Sequence, residues 1–180
     1  MSTIQLIQGS AAEQQVDAIV NAANRYLAAG GGICGAIFAK AGYAKLQQAC
    51  EQYKKPLRDG DAVITPAFGI TNAKYIIHAV GPDFGMTPDA FEQLQAAYYN
   101  SLKVLMENGL HSIAFPLISS GIFGGNLPNP VAVSVESCCK AFNAFLKDYP
   151  QYEVDAVICA FSAREHQAAL ETYFQMAIES

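Results

Sequence analysis

Short apolar runs alternate along this chain with stretches whose apolar residues recur at helical spacing. Residues 3–7, 18–20, 62–66, 75–80, 112–117 and 155–160 read as strands, most of them too continuously apolar to leave one face in water. Helices are expected between them. One begins in the glycine run at 30–32 and continues through Ala36-Ile37-Phe38-Ala39-Lys40-Ala41. A second starts at Thr87-Pro88-Asp89, with Thr87 as cap and Pro88 at the first helical position, and runs to about Asn108, where Gly109 closes it. A third opens at Asn129-Pro130 by the same logic. A fourth opens at Ser162-Ala163-Arg164-Glu165, which has the S-x-x-E form of a capping box. Alternation of this kind predicts an α/β fold: a central, mainly parallel sheet with helices on both faces.

In such sheets ligands sit beyond the carboxyl ends of the strands. Segments 21–32, 119–125 and Phe161-Ser162 all follow predicted strands, so they converge on one crevice, and each leads into a helix N-terminus that favours negative charge. Asn21-Ala22-Ala23-Asn24 leading to Gly30-Gly31-Gly32, and Ser119-Ser120-Gly121-Ile122-Phe123-Gly124, look like phosphate cradles. Their glycines let the backbone come close to a ligand and turn its N–H groups inward. Neither follows G-x-x-x-x-G-K-[ST], and no charged residue occurs between Ser112 and Val135. Phosphate bound there is held by main-chain amides rather than by lysine, which argues against an ordinary nucleoside-triphosphate P-loop. Gly30, Gly32 and Gly35 also satisfy G-x-G-x-x-G, but they begin well after their strand, so the dinucleotide fingerprint reads as accidental.

The 180 residues, 52% hydrophobic and 15% charged, suit one domain with a full core and no linker. A net charge of -5 argues against a nucleic-acid or anionic-membrane partner and does not exclude a small phosphate ester recognised by amides. Cys34, Cys50, Cys138, Cys139 and Cys159 are odd in number and lack C-x-x-C spacing, so buried, reduced thiols are expected, with neither a disulfide framework nor a zinc site. The first residues carry no basic start or apolar core of a signal peptide, and no run reaches membrane-spanning length. A cytoplasmic monomer is the expectation.

With these segments in this order, the sequence resembles the macrodomain family of ADP-ribose-binding modules, some of which hydrolyse ADP-ribosyl bonds. The resemblance covers nearly the whole chain. Its strongest parts are Asp17-Ala18-Ile19-Val20-Asn21-Ala22-Ala23-Asn24, Gly30-Gly31-Gly32-Ile33, Tyr75-Ile76-Ile77-His78-Ala79-Val80-Gly81-Pro82, and Pro116-Leu117-Ile118-Ser119-Ser120-Gly121-Ile122-Phe123-Gly124. The last is similar to the loop of viral members, and the layout to bacterial stand-alone ones. The resemblance implies a three-layer α/β/α sandwich with a central mixed, mainly parallel sheet. It also implies that Asn24 bonds the hydroxyls of the distal ribose, an amide offering both donor and acceptor, and that Asn21 and Ala22 brace the same loop. Gly31, Gly32, Ile33 and Cys34 on one side, and Pro116, Ser119, Ser120, Gly121, Ile122, Phe123 and Gly124 on the other, would enclose the diphosphate. Phe123 would cover the distal ribose, and Phe161 would stack on adenine.

Two positions depart from the family pattern. Where many members carry an aspartate for the adenine amino group, this chain reads Gln8-Gly9-Ser10-Ala11, leaving Ser10 and Ala11 at that end. Where one hydrolytic branch carries an acidic residue after its glycine run, this chain has Cys34, and no carboxylate occurs from Ala18 to Cys50. The mechanism that fits is substrate-assisted: Asn24 orients a water that a substrate phosphate oxygen activates, with no metal and no cofactor. Asn24→Ala is then expected to abolish turnover while leaving ADP-ribose affinity within a modest factor.

Each feature also has a plain structural reading. Asn21 and Asn24 read as turn residues, the glycines as flexible turns, Cys34 as an inert thiol, His78 as a satisfied core or rim histidine, and Phe123 and Phe161 as core aromatics. At least one of Cys138 and Cys139 reads as core packing. Three functions compete: a small hydrolase of mono-ADP-ribosyl or O-acetyl-ADP-ribose-type conjugates, a reader that binds ADP-ribose without turnover, and, more distantly, a reductase using the G-x-G-x-x-G. A domain with nothing attached to recruit favours the hydrolase.

Overall fold

The computed structural model describes residues 1–179. In chain order the elements are β1 (Thr3–Gln8), β2 (Val16–Ala23), α1 (Gly32–Ala41), α2 (Tyr43–Glu51), β3 (Ala62–Pro66), β4 (Ala73–Val80), α3 (Phe91–Glu107), β5 (Ser112–Phe115), α4 (Pro130–Asp148), β6 (Asp155–Ala160) and α5 (Ala163–Glu179). The strands form one sheet in the order β1-β6-β5-β2-β4-β3. All neighbours are parallel except β3, which runs antiparallel to β4 at the edge.

Side chains alternate across the strands and divide the core in two. Ala18, Val20, Ile77 and Ala79 face the α3, α4 and α5 layer, where Tyr98, Phe115, Val135 and Phe145 are buried. Ile19, Ala23, Ile76 and Val80 face the α1 and α2 layer with Ile37, Phe38 and Leu46. A sheet covered on both faces explains why its strands are near-continuous apolar runs. It also explains the place of the cleft. The helices that follow the adjacent strands β2 and β5 leave for opposite faces, so the loops diverge and open a crevice at the carboxyl edge.

Four of the six forecast strands change at an end: β1 runs on to Gln8, and β2 starts earlier, at Val16. β2 extends through Ala23, so Asn21 and Ala22 belong to the strand and not to the loop; β4 starts earlier, at Ala73; and β5 stops at Phe115. The helix after Thr87-Pro88 starts later than forecast, at Phe91, and no side chain caps it. The Thr87 carbonyl closes a turn instead, accepting from Ala90 N–H (3.3 Å), and the first helical bond runs from Leu94 N–H to the Ala90 carbonyl (3.2 Å). Pro130 does occupy the first turn of α4, but the Asn129 side chain makes no capping bond. At α5 the forecast cap forms: Glu165 N–H donates to Ser162 Oγ (3.1 Å). Helix α2 was not forecast. Gly42, at φ +104°, breaks the helical run and lets α2 leave in a new direction. Among the described residues, no helix is long and apolar enough to cross a membrane.

Candidate functional site

A cavity of about 710 Å³ lies at the carboxyl edge of the sheet, a size suited to a nucleotide-like ligand. Its walls are the segments the sequence singles out. Ser10 and Ala11 come from beyond β1, Ala22 and Asn24 from the end of β2, Gly31 to Cys34 from the start of α1, Pro116 and Ser119 to Phe123 from beyond β5, and Phe161 from beyond β6. Two forecast residues lie outside the lining. Gly124 is buried behind its loop, and Asn21 is turned into the core, its Nδ2 3.1 Å from His78 Nδ1. Glu165, Gly81 and Cys159 line the cavity without having been forecast.

The first wall is the start of α1. No side chain caps this helix at Gly31, and its first internal bond is Gly35 N–H to the Gly31 carbonyl (3.3 Å), leaving the N–H groups of Gly32, Ile33 and Cys34 without intrahelical acceptors. All three residues line the cavity, so an anion there meets free donors and the positive end of the helix dipole. Gly35 is needed for this shape: a Cβ there would sit 2.6 Å from the Gly30 carbonyl oxygen. Cys34 is buried, with Sγ 3.6 Å from the Ala28 carbonyl, and behaves as a packed thiol.

The second wall is anchored from beneath. Tyr98 OH accepts from Ile118 N–H (2.9 Å), and Ser134 Oγ donates to the Ile118 carbonyl (2.6 Å). Burial pushes the Tyr98 phenol far up, so it stays protonated and can donate to Ser134 Oγ, 2.5 Å away. Above this base the chain is strained at Ser119, a non-glycine residue at φ +60°. Its Oγ holds the conformation by donating to the Pro82 carbonyl (2.7 Å). Gly81 permits that approach, since a Cβ there would lie 2.4 Å from Ile118 Cγ2. Ile122 and Phe161 both line the cavity and are 94% and 73% exposed, so neither is a core residue.

Asn24 departs from expectation in its bonding. Its Oδ1 already accepts from Tyr26 N–H (3.0 Å) and Ala28 N–H (3.1 Å), while Nδ2 donates to the Ala28 carbonyl (3.1 Å). Both lone pairs of Oδ1 are used, so Asn24 offers a ligand one N–H and no acceptor. It also pins the loop, which means that Asn24→Ala loosens the wall as well as removing a donor.

No lysine, arginine or histidine lines the cavity among the described residues, and Glu165 is the single charged side chain that does. Burial pushes the Cys159 thiol up to about 12, which removes it as a thiolate nucleophile near neutral pH. His78 lies deep in the sheet and does not reach the cavity.

The family model described as Macro domain matches residues 20–133, which include both glycine loops. The chain belongs to the macro domain family. An O-acetyl-ADP-ribose deacetylase of Salmonella typhimurium is 41% identical to this macro domain over 162 residues, 88% of this chain and 87% of that one. Among solved structures, the Oceanobacillus iheyensis macrodomain with ADP superposes with a TM-score of 0.84 at 31% identity, covering 99% of this chain and 93% of that one. The Trypanosoma brucei macrodomain in complex with ADP-ribose gives 0.80 at 29% identity, covering 93% and 68%.

Proposed function

We propose that this macro domain binds ADP-ribose in the cleft and hydrolyses mono-ADP-ribosyl or O-acetyl-ADP-ribose conjugates. The observation that carries the reading is a nucleotide-sized cavity walled by two glycine-rich loops, with free helix-start amides and no cationic side chain among the described residues. Such a site selects a diphosphate by donor geometry rather than by bulk charge. The ligands named for the Oceanobacillus and Trypanosoma structures, and the activity named for the Salmonella relative, are of this class.

The strand order gives the ligand a direction. Ser10, Ala11 and Phe161 stand beyond β1 and β6, three to two strand positions from β2, whose loop carries Asn24. The base lies over the β1–β6 side, the diphosphate between the glycine loops, and the distal ribose beside Asn24. Asn24 Nδ2 then donates its remaining N–H to a water or ribose oxygen. A phosphate oxygen of the substrate takes a proton as the water adds to the acyl carbon of the ester on the distal ribose, and the acyl C–O bond breaks with that proton passing to the leaving ribose oxygen. Placement supplies what a general base would otherwise provide.

A second reading, binding without turnover, is favoured by one observation: the lone carboxylate of the cavity, Glu165, sits on the side away from Asn24. Incubation with O-acetyl-ADP-ribose, alongside titration with ADP-ribose, separates the two. Acetate release with binding supports the hydrolase, binding alone moves the reader ahead, and no binding removes both.

A further inference from the structure

Glu165 poses a question that the diphosphate cradle does not answer. Among the described residues it is the single charged side chain lining a cavity suited to an anion, and its charge has the wrong sign for phosphate. A carboxylate in such a place is tolerable at the far end of the ligand, where it meets donors. The fold puts it there. Glu165 lies in the first turn of α5, directly after β6, and β6 is two strands from β2 in the sheet, roughly 10 Å at ordinary strand spacing.

Its carboxylate is also held. Ser162 Oγ donates to Oε1 (3.1 Å) and in turn accepts from the Glu165 N–H (3.1 Å), so the cap fixes the side chain and leaves Oε2 without an assigned bond. Capping by itself does not require the side chain to line the cavity, as this one does beside the exposed ring of Phe161. Across from them, Ser10 Oγ is already an acceptor for the Ala12 N–H (3.3 Å), and the Ser10 carbonyl takes the Gln14 side chain (3.0 Å). A second lone pair remains on the neutral Ser10 Oγ, and the charged acceptor at this end is the Glu165 carboxylate.

We propose that Glu165 is the specificity-determining residue for the base, accepting a hydrogen bond from the exocyclic amine of a 6-aminopurine stacked on Phe161. This rests on the reading of the cleft as an ADP-ribose site. A purine with a 6-oxo group instead turns an acceptor toward the carboxylate, and the contact becomes repulsive. A hydrogen bond to a charged group at a half-buried site corresponds to a preference of about tenfold or more.

The test is calorimetric titration of the full chain with ADP and with inosine diphosphate, in wild type, Glu165→Ala and Glu165→Gln. Wild type is expected to prefer ADP by about tenfold or more. Glu165→Ala is expected to bring the two affinities within about threefold of each other, because it removes both the attraction and the repulsion. In Glu165→Gln the amide can donate to the 6-oxo group, so inosine diphosphate gains relative to wild type. An unchanged ADP preference in Glu165→Ala, with folding intact by circular dichroism, overturns the assignment of Glu165 alone. Failure of wild type to bind either nucleotide overturns the reading of the cleft as well.

Discussion

The carboxamide nitrogen of Asn21 lies 3.1 Å from Nδ1 of His78, directly across the β2–β4 pair, with both residues fully enclosed by the core. On its other side the His78 ring places Nε2 2.9 Å from Thr65 Oγ1 and 4.0 Å from Cys50 Sγ. Burial pushes His78 down to about 4, so the ring is neutral and Nδ1 accepts from Asn21. A protonated ring would turn an N–H toward the Asn21 NH₂. The pair thus fixes the end of β2, the strand that leads into the Asn24 loop.

The pair makes stability depend on pH. Because the folded His78 pKa lies below the unfolded value of 6.5, the unfolded chain takes up a proton first as pH falls. Stability is therefore full above about 6.5, declines as pH drops toward about 4, and loses on the order of 3 kcal/mol across that window. Urea titrations across this range are expected to show the decline in wild type and a flatter profile in His78→Gln.

A cleft that no lysine or arginine lines among the described residues predicts an unusual salt response. Raising sodium chloride from about 50 to about 500 mM is expected to change the ADP-ribose affinity by less than about threefold, because no side-chain cations are there to be screened. A tenfold or greater weakening would show that a cation outside the lining carries the binding.

Gly35→Ala tests the shape of the first wall. The new Cβ would meet the Gly30 carbonyl oxygen at 2.6 Å and push the loop away from the helix start. ADP-ribose affinity is expected to fall by at least about tenfold, since misplacing helix-start donors forfeits charge-assisted bonds. Thermal unfolding, followed in parallel, reports the part of the effect that belongs to stability.

Phe161→Ala separates stacking from folding. The ring is 73% exposed, so its removal is expected to leave the melting temperature nearly unchanged. Loss of base stacking is expected to weaken ADP-ribose by about tenfold and ribose 5-phosphate hardly at all.

The sheet was legible where apolar runs were unbroken: β3 and β6 match their forecast limits. It was less legible at β2, because a polar residue ending an apolar run reads as loop, and the partner that keeps Asn21 in the strand, His78, lies 57 residues away. Helix α2 escaped because Tyr43–Glu51 is short and its apolar residues are mostly small, with Leu46 and Cys50 its fully buried anchors. Thr87-Pro88 carried a sound cap signal, but the Thr87 carbonyl closes a turn with Ala90 N–H and the helix begins only after it. At the site, the glycine loops were visible as composition. The inward commitment of Asn24 and the exposure of Glu165 to the cavity depend on side-chain direction, which spacing does not encode.

The most direct test of the account follows release of labelled ADP-ribose from a protein mono-ADP-ribosylated on acidic residues, with wild type beside Asn24→Asp. That variant keeps acceptors for the Tyr26 and Ala28 N–H groups, loses the Nδ2 bond to the Ala28 carbonyl and removes the one N–H left for the ligand, so thermal unfolding is followed beside release. The account predicts release by wild type and a loss on the order of a hundredfold in the variant, the scale for removing one positioned donor. Equal release by the two proteins would contradict the role of Asn24. Retention of the intact labelled protein by wild type, without release, would contradict hydrolysis and leave a reader.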